Sequence, residues 1–288
     1  MLLLGFLCSF TALKAQHYNY PIPPDSIADR SKRAGYMALN FWTDSTAVDS
    51  TLFVRPKLLQ DYIFLLKQSD EDTQHESVKS FVGKASKSST TFSSILYWLD
   101  LILYDSSSRF TDETMYLEFM QAVMDSEADE ILKIVPAARI ELLKKNRVGF
   151  PATDFVYYDR AGNKQHLYNQ KTPLILLLFN NPDCSLCRQA EKNICDNDTL
   201  QKFIVDKQLT VLAITPDADA EEWKKHVYPM NWLTGYDKGD IYKNHMYDIP
   251  QFPCFYLLEG QKKQVLLKKT DYQGVCDYIS KQYLTLNH

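Results

Sequence analysis

Apolar residues recur at steps of three and four through the first half of the chain. Between residues 57 and 68 they are Leu58, Leu59, Tyr62, Ile63 and Leu66. This spacing gives a helix one buried face. It reappears over residues 92–104, 113–124 and 128–145, and together these stretches predict an all-helical region over residues 25–147.

The ends of these helices carry their own sequence marks. Asp25-Ser26 is expected to cap a helix that runs to about Trp42, and Asp112 to cap the helix over residues 113–124, because short polar side chains accept hydrogen bonds from the first free amides of a helix. Pro136 lies inside the last stretch, where a proline should bend a helix.

The pattern changes after Arg147. Residues 154–168 read as a hairpin around the turn at 159–163. Residues 174–179 and 209–214 are continuous apolar runs, as expected of strands covered on both faces. Two further strands are predicted at 254–258 and 264–268, with helices after residue 184 and over 199–207, 220–227 and 271–283. The alternation predicts an α/β fold with a mixed central sheet flanked by helices.

These patterns divide the chain into three parts. Residues 1–15 read as a signal peptide, since residues 1–12 are almost wholly apolar and Ala15 ends a stretch of small residues. Residues 16–147 form the helical domain, and residues 148–288 the α/β domain. The apolar run is shorter than the roughly 20 residues of a membrane-spanning helix. We therefore expect an exported protein that does not span a membrane once the leader is removed; a buried strand or helix at the amino terminus is the alternative.

The charge excludes some partners. The 288 residues carry a formal net charge of −4. No broad positive field is present to hold a polyanion, so nucleic acid and anionic membrane surfaces are not expected partners.

The cysteines point to the chemistry. Five of the six cysteines lie in the second half, and Cys184-Ser185-Leu186-Cys187 follows the apolar run at 174–179 and opens a predicted helix. Amide groups and the dipole at a helix N-terminus favour a thiolate, with pKa values of roughly 3.5 to 7 in such settings. A static disulfide remains an alternative. So does half of a zinc site, although no second close pair of cysteines or histidines is present.

A later stretch completes a family pattern. Tyr247-Asp248-Ile249-Pro250-Gln251-Phe252-Pro253 fits Tyr-x-Ile-x-x-x-Pro, and Gly149-Phe150-Pro151-Ala152-Thr153-Asp154-Phe155 fits the entry into the same fold. Residues 149–288 thus resemble the thioredoxin superfamily, and within it the exported TlpA/ResA-like thiol-disulfide oxidoreductases. The helical half faintly resembles an uncharacterised domain found before such modules.

The resemblance implies roles for individual residues. Cys184 would be the nucleophile and Cys187 the resolving thiol. Pro253 would be a cis-proline that shapes the substrate groove, with the Phe252 backbone pairing an extended substrate segment. Arg188 would stabilise the thiolate and Asp183 would oppose it. Cys254 would be either a third redox thiol or a small buried residue.

The resemblance also places Cys195 and Cys276 on helices that pack on one face of the sheet, where a disulfide between them is an alternative to two free thiols. The chain departs from the family at three positions. Asp183 replaces the usual tryptophan, Ser185-Leu186 the usual Gly-Pro, and Leu178 the buried acid that assists proton transfer in thioredoxin. The histidines at 75, 166, 226 and 245 are scattered singly and read as surface residues.

The expected function is exchange of disulfides with protein or small-molecule thiols in the periplasm of a Gram-negative bacterium. It requires no cofactor beyond the Cys184–Cys187 disulfide, and no metal. A membrane thiol-transfer protein would supply electrons, because the compartment is oxidising. The alternative is a non-catalytic binding or scaffold protein, in which the helical half recognises a partner and the thioredoxin-like half is structural.

Overall fold

The computed structural model describes residues 18–43, 55–106, 108–216 and 220–286. The predicted leader, residues 1–15, lies outside these ranges. The chain forms two compact units, one ending at Phe81 and the other beginning at Val82. The predicted domain boundary at 147/148 is not tested by this division and stays a prediction.

The first unit contains α1 (Arg30–Asn40), α2 (Pro56–Leu66) and most of α3 (Glu71–Ala85). Its centre is a group of aromatic rings with centroids 4.8–5.5 Å apart: Phe41, Trp42, Tyr62 and Phe81. The hydroxyl of Tyr62 is paired with Ser77 at 2.7 Å, so this buried polar atom is satisfied.

Two expectations for this unit need correction. Asp29, not Asp25-Ser26, caps α1, accepting from the amide of Lys32 at 2.9 Å. Asp25 and Ser26 lie in a turn closed by the Ile27 amide on the Pro24 carbonyl. The sequence patterns also missed α3. Its apolar positions are few, so they form no continuous stripe along the helix.

The second unit begins with helices. They are α4 (Ser89–Leu99), which continues into a π-helical turn over Asp100–Tyr104, then α5 (Glu113–Met124) and α6 (Glu130–Lys144). Asp112 caps α5 by accepting from the Met115 amide at 3.0 Å, as predicted. Pro136 lies within α6, which runs unbroken to Lys144.

A mixed sheet follows, and it confirms the predicted fold class. Its strands are β1 (Val156–Tyr158), β2 (Lys164–His166), β3 (Leu174–Phe179), β4 (Leu209–Thr215), β5 (Leu233–Tyr236), β6 (Cys254–Glu259) and β7 (Val265–Thr270). Their order is β2-β1-β5-β4-β3-β6-β7. β4 is parallel to β3 and β5, whereas β6 is antiparallel to β3 and β7. β1 pairs antiparallel with β2, forming the expected hairpin, and with β5.

The short strand β5 was not predicted. It contains Gly235, which usually weakens a strand pattern. The glycine is required here because an added Cβ would lie 2.3 Å from Cδ2 of Tyr157 on the neighbouring strand.

Helices cover both faces of the sheet. They are α7 (Ser185–Cys195), α8 (Asp198–Val205), α9 (Ala220–Lys225), α10 (Asp240–Lys243) and α11 (Tyr272–Leu286). Leu176 and Leu178 of β3 join the core that contains Ile194 of α7 and Ile279 of α11. The alternate residues Ile175, Leu177 and Phe179 join a second core. Burial on both faces explains why β3 reads as one continuous apolar run.

In the part of the chain that the structure describes, none of the helices combines the length and apolar character needed to cross a lipid bilayer.

Candidate active site

Cys184 and Cys187 lie where β3 leads into α7. Cys184 is the N-cap residue of that helix, and its sulfur accepts a hydrogen bond from the Cys187 amide at 3.3 Å. Donation from a helix N-terminus stabilises negative charge on a sulfur atom. Cys184 is half-buried and Cys187 is fully buried. The arrangement therefore gives one sulfur that reagents can reach and a second one directly behind it.

Burial raises the pKa of the Cys187 thiol to about 12. Three smaller effects are included in this pKa: a backbone hydrogen bond at Asn181 lowers it, and the neighbouring Cys184 and the carboxylate of Glu191 raise it. Cys187 therefore remains protonated at neutral pH until a reaction step draws the proton away. Cys184 and Cys187 are both free thiols.

The proline-containing loop lies opposite the pair. The Phe252–Pro253 peptide bond is cis, as the resemblance implied. The Cys184 thiol faces the Phe252 carbonyl, with sulfur and oxygen 3.9 Å apart across 68 residues of sequence. The sheet causes this meeting, because Phe179 at the end of β3 is paired with Cys254 at the start of β6. The role of Phe252 and Pro253 in binding substrate stays a prediction.

The two charged residues beside the pair differ in their contacts. Arg188 donates from its guanidinium to the Pro182 carbonyl at 2.9 Å, which holds it against the loop before the helix. Asp183 is exposed, and its amide donates to the side chain of Asn181 at 2.9 Å. Both residues lie next to the cysteines; their effects on the thiols stay predictions.

Sequence reasoning missed a buried acid in this region. Glu191 is one helical turn after Cys187 and 8% exposed. Its carboxylate lies 2.9 Å from Nε2 of His226 and accepts from the Asn180 amide group at 3.2 Å. Asn180 also bonds the Tyr228 hydroxyl at 3.1 Å. Leu178 is apolar and buried, as expected. The buried acid near the cysteine pair is instead Glu191 on α7.

The placement of His226 corrects the expectation that it is a surface residue, since its side chain is 15% exposed and pairs with Glu191. The helical spacing of the sequence could have indicated that Glu191 is buried. Glu191 is a charged residue at the helical spacing shared by the buried residues Cys187 and Ile194.

The other described cysteines are also free. Cys254 is 3% exposed, and burial raises its pKa to about 12, which favours a buried structural residue over a third redox thiol. Cys195 is exposed and Cys276 is partly buried, on helices α7 and α11 that pack on one face of the sheet. The disulfide considered between these two residues is not formed in this structure.

The described residues contain no group of three or more His, Cys, Asp or Glu side chains placed to hold a metal ion. The zinc alternative therefore finds no support from the ligands that this part of the chain brings together.

Comparisons with known proteins agree with this architecture. Residues 8–146 match a family model described as a domain of unknown function, DUF5106. A crystal structure of a thioredoxin-like protein from Bacteroides caccae is similar at a TM-score of 0.75 and 28% identity, covering 92% of this chain and 98% of that one. No curated protein sequence matches the chain.

Two shorter structures each match less than half of this chain. A conserved protein of unknown function from Bacteroides fragilis is 36% identical, with a TM-score of 0.45, over 46% of this chain and 98% of that one. The thioredoxin domain of a thiol-disulfide oxidoreductase from Bacteroides vulgatus is 24% identical, with a TM-score of 0.39, over 46% of this chain and 98% of that one. The fold assignment rests on the Bacteroides caccae structure and the sheet topology.

Proposed function

We propose that this chain, which has a thioredoxin-like fold behind a DUF5106-type helical region, is a thiol-disulfide oxidoreductase that works through Cys184 and Cys187. One observation carries the proposal. The half-buried sulfur of Cys184 caps α7 and accepts the Cys187 amide at 3.3 Å, while the Cys187 thiol is buried behind it. This division of roles suits a nucleophile and a resolving thiol.

The reaction follows from that division. The Cys184 thiolate attacks a substrate disulfide, forming a mixed disulfide and releasing the first substrate thiolate, which takes up a proton. Cys187 then loses its proton and attacks the Cys184 sulfur, forming the Cys184–Cys187 disulfide and releasing the second thiolate. Two electrons pass to the substrate. An external dithiol must reduce the new disulfide, and a membrane thiol-transfer protein is the proposed donor.

Glu191 is the proposed acceptor of the Cys187 proton. Its carboxylate acts electrostatically on Cys187 and lies 2.9 Å from His226. The His226 side chain is 15% exposed, so the pair offers the proton a path to solvent. The proposal assigns this role to an acid on the helix of the cysteines, since Leu178 occupies the position of the thioredoxin acid on the strand.

The remaining assignments are also proposals. The substrates are protein or small-molecule disulfides, Phe252 and Pro253 form one side of their binding groove, and residues 148–288 form the catalytic domain. Export to the periplasm fits the apolar residues 1–12. No bound cofactor or metal takes part in the steps written above.

Replacement of Cys187 by serine tests the order of the two steps. In Cys187→Ser, the first attack proceeds and the second cannot, so the protein accumulates a mixed disulfide on Cys184. We expect most of the variant to carry reduced insulin chain after incubation with insulin, as measured by mass spectrometry with peptide mapping.

Cys254→Ser is the matched control, because Cys254 is also buried with a raised pKa but lies outside the pair. It should turn over insulin without retaining it. Absence of any adduct on Cys184 in the Cys187→Ser variant would contradict the assignment of nucleophile and resolving thiol.

A further inference from the structure

A buried ion cluster lies beside the proline-containing loop. It consists of Glu113 on α5, Asp248 in the loop, and Lys268 and Lys269 on β7. Nζ of Lys269 lies 2.8 Å from Asp248 and 2.7 Å from Glu113, and Nζ of Lys268 lies 3.0 Å from Glu113. The Tyr104 hydroxyl donates a hydrogen bond to Oδ1 of Asp248, the carboxylate oxygen that does not face Lys269. The lysine side chains are 4% exposed and that of Asp248 3%, whereas that of Glu113 is 30% exposed. The cluster is therefore closed to water except on the side of Glu113.

A bulge in β7 makes this cluster possible. Phe255 is paired with Thr270 and Leu257 with Leu267. In the register of the two strands, the single residue Tyr256 therefore lies opposite both Lys268 and Lys269. Lys269 has a φ of 50°, in the left-handed region. A bulge re-aims side chains that would otherwise alternate across the sheet. The side chains of Lys268 and Lys269 therefore both reach Glu113 on α5.

The cluster fixes the start of the loop over residues 248–253. Asp248 is held by Tyr104 and Lys269 through its carboxylate, and by the Tyr256 hydroxyl, at 2.7 Å, through its carbonyl. Gln251 donates to Ser106 at 3.3 Å. The same loop ends at Phe252, whose carbonyl faces Cys184 at 3.9 Å, and at Pro253. Tyr104 and Ser106 of the helical segment thus contact the loop directly.

A cavity of about 450 Å³ adjoins the loop, and its lining includes Ser106, Gln251, Pro253 and Cys254. Its walls therefore come from both the helical segment and the thioredoxin-like fold. A polypeptide lying along residues 252 and 253 would meet this cavity with the residues that flank its cysteine. A small disulfide would not extend that far.

Stability alone is a weak reason for such a cluster. Burying charges costs desolvation energy, and packed apolar side chains often stabilise a core as well or better. Close ion pairs in a low-dielectric interior instead hold their members in one geometry. The geometry held here is that of the loop beside the reactive sulfur.

We propose that Tyr104 and Glu113 are positioning residues that hold the 248–253 loop, and that the loop held in this way selects polypeptide disulfides over small ones. This inference rests on the proposed function. It gives the helical segment a part in substrate recognition, exerted through Asp248 and Lys269 and not through contact with the reacting sulfurs.

Tyr104→Phe tests the proposal, since it removes the bond to Asp248 and keeps the ring that lies under Lys269. Tyr97→Phe is the control, on the same helical segment but 59% exposed. Cys254 reports on the loop, because its buried thiol faces the Asp248 carbonyl at 4.0 Å. In Tyr104→Phe we expect alkylation of Cys254 by iodoacetamide to accelerate about tenfold, the scale of a lost hydrogen bond to a charged group.

Steady-state kinetics provide a second test of the proposal. KM for insulin should rise about threefold to tenfold in Tyr104→Phe, with kcat and the rate constant for bis(2-hydroxyethyl) disulfide unchanged, because only the larger substrate extends along the loop beyond the reacting sulfurs. Tyr97→Phe should match the wild type in both the Cys254 labelling and the kinetics.

Three results would overturn the proposal: Cys254 labelling equal to wild type, faster labelling with an unchanged KM for insulin, or an equal loss with both disulfides. The last would indicate a general structural defect. If the wild type reduces neither disulfide, the proposed function fails, and Cys254 labelling alone then decides whether Tyr104 holds the loop.

Discussion

Cys184→Ser should lower the turnover of insulin disulfides by at least about a thousandfold, the scale on which loss of a covalent nucleophile acts. Serine cannot form a disulfide, and its hydroxyl is a poor nucleophile at neutral pH. The fold should survive, because serine is a preferred N-cap residue and can replace the sulfur as acceptor for the Cys187 amide. Steady-state reduction of insulin by dithiothreitol gives the measurement.

Cys195→Ser is the control for this prediction. Cys195 is the last residue of the same helix and is exposed, and the proposed exchange does not use it. Its replacement should leave turnover unchanged. Equal activity of wild type and Cys184→Ser in every thiol assay would favour the alternative function, a binding or scaffold protein with a structural thioredoxin-like half.

Glu113→Ala should lower the free energy of unfolding by about 1.5–3 kcal/mol, the scale of a lost hydrogen bond to a charged group, because Lys269 keeps its contact with Asp248. Lys268 and Lys269 would lose the carboxylate that both contact, while their side chains stay 4% exposed. Denaturant unfolding of the full chain gives the measurement. Glu141→Ala is the control, because its pair with Lys144 is more than half exposed and should contribute no more than about 1 kcal/mol.

The penalty should depend on pH. Burial lowers the pKa of Lys268 below its ordinary value of 10.5. As the pH rises through that lowered pKa, Lys268 becomes neutral and costs less to bury without its partner. The difference in stability between wild type and Glu113→Ala should therefore shrink in alkaline solution. An equally small penalty for Glu113→Ala and Glu141→Ala at neutral pH would show that the cluster does not behave as a buried network.

The sequence was informative where local pattern and structure coincide. Burial on both faces makes β3 a continuous apolar run, so this strand could be predicted. The helix of the cysteines was predicted to begin directly after that run. Asp112 could be placed as a cap because an N-cap bond spans three residues. Such features depend on neighbours in the chain.

Other features depend on tertiary contacts. The need for Gly235 arises from Tyr157 on a neighbouring strand, and the burial of Glu191 from its pairing with His226, 35 residues away. Lys268 and Lys269 look like an exposed strand end in the sequence. A bulge turns both of them onto Glu113, and periodicity gives no sign of it. Local sequence therefore located the Cys184–Cys187 helix and the strand before it, but not the buried residues around them.

The central claim is that Cys184 and Cys187 form one reversible two-electron couple. A redox titration in glutathione buffers, with rapid alkylation and peptide mapping of all cysteines, tests it directly. We expect a disulfide between Cys184 and Cys187 to form and disappear along a single transition, while Cys254, buried with a pKa of about 12, remains a thiol throughout. A pair that stays reduced in every buffer, or a disulfide that joins other cysteines instead, would contradict the account.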